Sequence, residues 1–176
     1  MAHQILFRAL EPSDAELLYS IENDTEAWES SETAAPYSLH LLRRYATHYD
    51  ADPFSSGQLR LVATSAHDPA TPLGLLDFYE ISLRHSHAWV GIYVRPEFRG
   101  RGIASAILQS AARYARMNLR LSNLGARILS HNATSLHLFT RQGYTLRGTL
   151  PSWHFAAGSQ HDLLLLTLPL SPADDP

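Results

Sequence analysis

The segment best suited to chemistry is RPEFRGRGIA at residues 95–104, between a predicted strand and a predicted long helix. Backbone N–H groups at a helix start are unpaired and carry the positive end of the helix dipole. Glycines let a polyanion approach these groups closely, so the turn could bind a pyrophosphate. It has neither the Gly-Lys-Ser/Thr of a P-loop nor the GxGxxG of a dinucleotide site, and Gly-x-Gly alone more often marks a structural turn.

Charged residues are divided unevenly along the chain. Eight of the 17 acidic residues and no basic residue lie between residues 11 and 32. Nine of the 14 basic residues, all of them arginine, and a single acid lie between residues 95 and 147. The first region suits a cation and the second an anion, although two solvated faces of opposite charge would give the same pattern.

Three motifs make the chain resemble the GNAT superfamily of N-acetyltransferases. RGRGIA at 99–104 matches the R/Q-x-x-G-x-G/A acetyl-CoA motif, and NATSLHLFTRQGY at 132–144 is similar to the second cofactor segment of the family. RALEPSD at 8–14 resembles GNAT N-termini. The resemblance covers about residues 3–168.

Within the superfamily, the chain most resembles the branch of spermidine/diamine and ribosomal-protein N-terminal acetyltransferases. The phrases GLLDF at 74–78 and HDLLL at 161–165 are similar to that branch. GLLDF is also apolar enough to be an ordinary core strand, so the branch does not identify the acceptor.

The resemblance implies acetyl-CoA as co-substrate. Backbone groups of residues 99–105 would hold the pyrophosphate, and the strand ending at Val94 would pair with the pantetheine arm like an added strand. Asn132 would hydrogen-bond the pantetheine, cap a helix, or do both. The implied cofactor-binding residues are Ile92, Tyr93, Val94, Arg99, Gly100, Arg101, Gly102, Ile103, Ala104, Ser105, Asn132 and Phe139.

Phe139 is a departure from the family pattern. Relatives often place a tyrosine seven residues after the asparagine to protonate the leaving thiolate, and a phenyl ring cannot donate a proton. Three explanations stay open. Another residue or water donates the proton, a thiol with a pKa near 8.5 leaves unassisted, or the protein is a poor catalyst.

Candidates for the general base are Glu80, His85, His87 and Tyr93, of which we predict Glu80 and Tyr93 as catalytic residues. Glu80 ends a predicted strand near where relatives place a carboxylate, but an exposed strand-end glutamate is an alternative. The histidines titrate near neutrality, yet a polar turn usually leaves them solvated. Tyr93 could equally be a core residue.

The family builds its acceptor site between the first two helices, where this chain is acidic. The resemblance therefore implies a small cationic amine, such as a polyamine, and predicts Glu22, Glu26, Glu29 and Trp28 as acceptor-binding residues. A solvated acidic loop with Trp28 packed beside it is the alternative. Trp89 and Trp153 could add cation–π contacts or simply pack. The alternatives are an N-terminal or ribosomal-protein acetyltransferase, and an acyl-CoA-binding domain that lost its chemistry.

The hydrophobic pattern predicts the order β-α-α-β-β-β-α-β-α-β-β in a mixed α/β sheet. The GNAT resemblance implies about seven mostly antiparallel strands with about four helices. We expect strands at 3–10, 59–65, 73–81, 88–94, 125–129, 144–150 and 162–168, and helices after 12 and at 39–49, 103–119 and 132–142. Further expectations are a turn at 67–72, a glycine-containing loop between the last two strands, and Ser13 capping the first helix with Glu16 as capping-box partner.

Length and composition limit the domain organisation, the chemistry and the partners that the protein can have. The length predicts a single domain over residues 1–170 and a frayed tail over 171–176. Because there is no cysteine, disulfides and thiolate chemistry are excluded, and we predict no metal. We see neither a secretory signal nor an apolar run long enough to span a bilayer, so we expect a cytoplasmic protein without membrane partners. A pI near 6.3 argues against nucleic acid, and a homodimer is left open.

Overall fold

The computed structural model describes residues 4–28, 35–50, 52–156 and 158–170. Seven strands form one sheet in the order β1-β2-β3-β4-β5-β7-β6. The strands are β1 Ile5–Ala9, β2 Leu59–Ser65, β3 Asp68–Ser82, β4 His87–Val94, β5 Asn123–Leu129, β6 Thr145–Ala156 and β7 Ser159–Pro169. The helices in the described ranges are α1 Ala15–Glu22, α2 Thr25–Trp28, α3 Leu39–Thr47, α4 Pro53–Ser56, α5 Ile103–Met117 and α6 Ala133–Arg141, with 3-10 turns at Pro12–Asp14 and Pro96–Phe98.

The sheet is mixed and mostly antiparallel, as predicted, and its one parallel pair is β4 with β5. Parallel neighbours need a crossover connection, and α5 supplies it. The parallel pairing has three rungs, which run from His87–Asn123 to Trp89–Gly125. Beyond Trp89 and Gly125 the two strands are no longer paired with each other, although β4 continues to Val94 and β5 to Leu129. We call the gap between them the fork and the two strand segments that border it its arms.

Two predicted connections were wrong in length, since both are shorter than expected. β3 begins at Asp68 rather than residue 73, because the chain turns within residues 66–67. The expected loop between the last two strands is a hairpin in which β6 runs to Ala156 and β7 starts at Ser159. Gly158, with φ +79°, lies in its turn. Bulges in β6 let polar residues continue the strand that the sequence pattern seemed to end at residue 150.

The predicted cap of the first helix was also wrong. Ser13 lies inside the 3-10 turn, and Asp14 precedes α1. The Asp14 carboxylate accepts two 2.7 Å bonds from the Arg8 guanidinium and one from the Glu11 N–H. Burial opposes ionisation of this carboxyl, but the bonds from Arg8 and Glu11 outweigh it and lower the Asp14 pKa. Glu16 is bonded to Arg43 of α3 instead of closing a capping box.

The two faces of the sheet bury different side chains, because successive residues of a strand point to opposite sides. Ala88, Val90 and Val94 of β4 join the larger core with α5, while Tyr93 packs with α1 and α3 in the smaller one. We call the side covered by α1 and α3 the α1/α3 face. Among the described residues, no helix is both long and apolar enough to cross a bilayer.

Candidate active site

The fork between β4 and β5 leaves backbone groups without a strand partner in the sheet. Because the Arg95 N–H donates to the Leu73 carbonyl of β3, alternate residues of β4 direct their peptide groups to β3. Ile92 and Val94 alternate with those residues along the strand, so their N–H and C=O groups point away from β3 and toward the fork. A chain inserted there could pair with them as an extra strand.

The turn that precedes α5 has the geometry expected for an anion site. Gly100 and Gly102 have φ of +74° and +79°, a region that other residues adopt only with strain. Gly102 is the N-cap of α5, and no side chain in the described part of the chain caps this end. The first N–H groups of this 15-residue helix, including those of Ile103, Ala104 and Ser105, therefore point out of the helix end toward the turn.

Arg99 ties this turn to the fork. Its Nε donates to the Val94 carbonyl at 2.9 Å, and its guanidinium lies 5.5 Å from the centre of the Tyr93 ring. Its Nε–H is thus used within the protein, and the Arg99 backbone N–H lies in the turn where a phosphate would bind. The Arg101 guanidinium lies 6.0 Å from the Phe98 ring, at the outer side of the same turn.

Asn132 and Phe139 belong to α6. Asn132 caps this helix, its Oδ1 accepting the Ser135 N–H at 3.0 Å, and its amide N–H groups could donate to a cofactor. Phe139 is only 5% exposed, and its ring meets Tyr144 edge-on at 5.0 Å. The Phe139 surroundings are therefore apolar. Within the described residues the buried Tyr144 hydroxyl has no hydrogen-bond partner.

On the α1/α3 face, Tyr93 meets Asp24. The Tyr93 hydroxyl donates to Asp24 Oδ2 at 3.2 Å. Burial and the Asp24 carboxylate both raise the Tyr93 pKa, which keeps this hydroxyl protonated. A cleft of about 550 Å³ opens beside the pair, lined by Ser20, Asp24, Tyr93, Arg95, Pro96 and Glu97.

Glu22 and Asp77 share one half-buried cation. Arg60 of β2 donates to Glu22 at 2.7 Å and to both Asp77 oxygens at 2.7 and 3.1 Å. Burial disfavours the charged guanidinium, but Asp77 and the other neighbours outweigh it and raise the Arg60 pKa. Trp28 donates its Nε1–H to the Glu22 carbonyl at 2.7 Å. Glu29 and the side chain of Glu26 lie outside the described part of the chain.

Glu80 lies at the base of the fork. It occupies a bulge in β3 with φ +48°, a left-handed conformation that costs on the order of 1–3 kcal/mol in a non-glycine residue. Its carboxylate accepts two 2.7 Å bonds from Arg127 of β5, and these bonds lower the Glu80 pKa. The Arg127 guanidinium also covers the Trp89 ring at 4.3 Å.

The structure does not bring the predicted catalytic residues Glu80 and Tyr93 together. Glu80 lies near Trp89, and Tyr93 is four residues further along β4, roughly 13 Å away at the usual rise of a strand. His85 and His87 lie around the start of β4, at its opposite end from Tyr93. Trp153 is exposed on the edge strand β6 and takes no part in this site.

Sequence reasoning missed several residues of the site: Asp24, Arg60, Asp77 and Arg127. Asp24 lay within the recognised acidic stretch but was not singled out. An isolated Arg60 or Arg127 in an apolar strand was the available signal, since a charge inside a buried strand needs a partner.

Comparisons with known proteins agree with this geometry. The family model described as "Acetyltransferase (GNAT) domain" matches residues 4–145. A Bacillus subtilis protein provisionally named phosphinothricin acetyltransferase is 37% identical over 94 residues, which cover 53% of this chain and 57% of that protein. The spermidine N(1)-acetyltransferase of Escherichia coli is 24% identical over 95% of this chain and 87% of its own length.

The fold comparison extends over nearly the whole chain. The crystal structure of spermidine N-acetyltransferase from Vibrio cholerae, in complex with CoA and spermine, superposes with a TM-score of 0.81. It is 24% identical and covers 95% of this chain and 96% of that one, a likeness that identifies the fold. With the family model spanning most of its length, the chain belongs to the GNAT family of acetyltransferases.

Proposed function

We propose that the protein transfers the acetyl group of acetyl-CoA to a small amine that carries a second positive charge, such as a polyamine. The observation that carries the proposal is the position of Asp24 and Tyr93. They meet in a cleft on β4, the strand whose Ile92 and Val94 peptide groups face the fork. Donor and acceptor would thus be held against one strand.

The donor half of the site fits acetyl-CoA. The uncapped start of α5 and the left-handed Gly100 and Gly102 suit a pyrophosphate. The peptide group of Ile92 and the N–H of Val94 suit the amide-containing pantetheine arm, while the Val94 carbonyl accepts the bond from Arg99. An N–H of this strand could also stabilise the negative charge that develops on the thioester oxygen.

The acceptor half is suited to an ammonium group. Asp24 places a carboxylate in this cleft, where it accepts the bond from the Tyr93 hydroxyl. An ammonium beside Asp24 would gain a charge-assisted hydrogen bond. The spermidine N-acetyltransferases that align with 93–95% of this chain support a polyamine as the acceptor class.

In the reaction the neutral amine attacks the thioester carbon, a C–N bond forms, and the C–S bond breaks to release the CoA thiolate. We assign Asp24 and Tyr93 to holding the acceptor. Glu80 is a weak candidate for the base, because the two bonds from Arg127 occupy its carboxylate oxygens and lower its pKa, which reduces its affinity for a proton. Phe139 gives no proton, so solvent takes up the amine proton and returns one to a thiolate that is a good leaving group.

The test is a panel of acceptors scored by release of the free CoA thiol. The sharpest pair is 1,4-diaminobutane against 1-aminobutane, which differ by the second ammonium. We expect kcat/KM to favour the diamine, and spermidine still more, by at least tenfold, or about 1.4 kcal/mol. Equal values for the pair, or preference for a peptide N-terminus, would contradict a polyamine acceptor.

A second candidate is an acyl-CoA-binding domain without turnover, which Phe139 at the usual acid position favours. Tight CoA binding in calorimetry with no thiol release from any amine would support this alternative.

A further inference from the structure

Side chains from three adjacent strands meet at the base of the fork. Glu80 comes from β3, Trp89 from β4, and Arg127 from β5. The Arg127 guanidinium makes both 2.7 Å bonds to the Glu80 carboxylate, lies 4.3 Å from the Trp89 ring centre, and lies 5.7 Å from that of Tyr79. A cation held by a carboxylate and two aromatic rings is well fixed in position.

The backbone is shaped for this arrangement. In the β3 bulge, Glu80 and Ile81 together oppose Ala88, since Tyr79 pairs with Trp89 and Ser82 with His87. Across the seam, the Trp89 ring covers Gly125, where an added Cβ would come within 2.5 Å of the ring. Gly125 therefore admits the ring across the last rung, and the bulge carries Glu80 within reach of β5.

Arg127 lies two residues beyond that last rung, on the arm of β5 that has left β4. In the sheet this arm is paired with β7, and the β4 arm is paired with β3. The Arg127 side chain reaches back from this part of β5 to the base of the fork, where it is bonded to Glu80 of β3 and covers Trp89 of β4. It therefore limits how far the fork can widen.

We propose that Arg127 is a positioning residue that sets the width of the fork and thereby the fit of the pantetheine arm of acetyl-CoA. The test of this inference by enzyme activity rests on the proposed function, whereas the test by CoA binding does not. Arg127 acts through the strands and does not need to touch the substrate.

The test uses Arg127→Ala and the volume-keeping Arg127→Met, with Arg113→Ala, an exposed arginine of α5, as control. We expect Kd for CoA by calorimetry and KM for acetyl-CoA to rise about tenfold in both Arg127 variants and to stay unchanged in the control, a change equivalent to about 1.4 kcal/mol. Millimolar guanidinium should fill the vacated position and restore most of the affinity of Arg127→Ala. Urea, its neutral counterpart of similar shape, should not.

Glu80→Gln gives a second test that leaves Arg127 in place and creates no cavity. A positioning role predicts weaker CoA binding in this variant, whereas a general base would lower kcat and leave CoA affinity alone.

Wild-type CoA affinity in Arg127→Ala and Arg127→Met would overturn the proposal, as would a loss of thermal stability with unchanged Kd. If the wild type binds CoA but acetylates no amine, the proposed function fails while the Kd comparison still decides the role of Arg127.

Discussion

Replacing Asp24 by asparagine tests the acceptor site with a minimal change. The substitution removes the negative charge and keeps the size and an oxygen that can still accept the Tyr93 hydroxyl bond, which is 3.2 Å long in the structure. The attraction for a cation is lost. We therefore expect KM for a polyamine to rise and KM for acetyl-CoA to stay the same.

The size of the effect follows from the half-buried position of Asp24. An ammonium about 4 Å from a carboxylate gains roughly 4 kcal/mol at the effective dielectric constant of about 20 that applies near a protein surface. Desolvation and competition with the Tyr93 hydroxyl reduce this, and hydrogen bonds to charged groups contribute about 1.5–3 kcal/mol net. The KM for spermidine should therefore rise between roughly 10-fold and 150-fold.

The assay is steady-state release of the CoA thiol with spermidine, 1,4-diaminobutane and 1-aminobutane at low and high salt. The KM increase should be largest for the polyamine and smaller at high salt, because screening weakens the attraction in the wild type. Glu16→Gln is the matched control, since Glu16 is an exposed acid paired with Arg43 outside the cleft. An unchanged KM for spermidine in Asp24→Asn at low salt, or an equal rise in the control, would refute the assignment.

Four further predictions follow from the described contacts. Gly102→Val puts a branched residue at φ +79° beside the phosphate site and should weaken CoA binding in calorimetry by more than tenfold. An unchanged affinity in this variant would show that the phosphates do not bind at this turn. Phe139→Tyr should change kcat by less than tenfold if solvent already protonates the thiolate, whereas a gain of 10²–10⁴ would mean that the missing acid limits the natural protein. Tyr144→Phe should hold or increase stability against urea, because it removes a buried hydroxyl without a partner in the described structure; a clear loss would reveal a partner. Because the folded pKa of Asp14 lies below its unfolded value of about 3.9, its stabilisation is full above that value and is lost as the pH falls through the folded pKa; urea midpoints at neutral and acidic pH should therefore show a weaker acid dependence in Asp14→Asn, and an unchanged dependence would count against the Arg8–Asp14 pair.

The succession of the seven strands along the chain and the turn before α5 were predictable because they depend on local patterns. Alternation in β4 and the helical spacing after Gly102 are encoded within a few residues. The limits of β3 and β6 were not, because pairing in a hairpin extends strands through polar residues such as Asp68 and His154.

The candidate site divides in the same way. The cofactor turn is one continuous segment, whereas Asp24 with Tyr93, and Glu80 with Arg127, are brought together from residues 69 and 47 positions apart. No spacing rule indicates such a contact. Glu80 was predicted as a base from its place at a strand end, but an arginine on another strand sets its pKa. The single domain over residues 1–170 and the possibility of a homodimer stay predictions.

The three-rung seam between β4 and β5 also has a consequence for local opening of the structure. The amides of the fork arms that face the gap have no sheet partner to protect them from exchange with solvent, and the few rungs at Trp89–Gly125 hold together two halves that are each well paired internally. A ligand lying in the fork would supply the missing cross-connections. Deuterium uptake in β4 and β5 would then slow together on CoA binding, so the fork would join two otherwise weakly coupled halves of one sheet into a single cooperative unit.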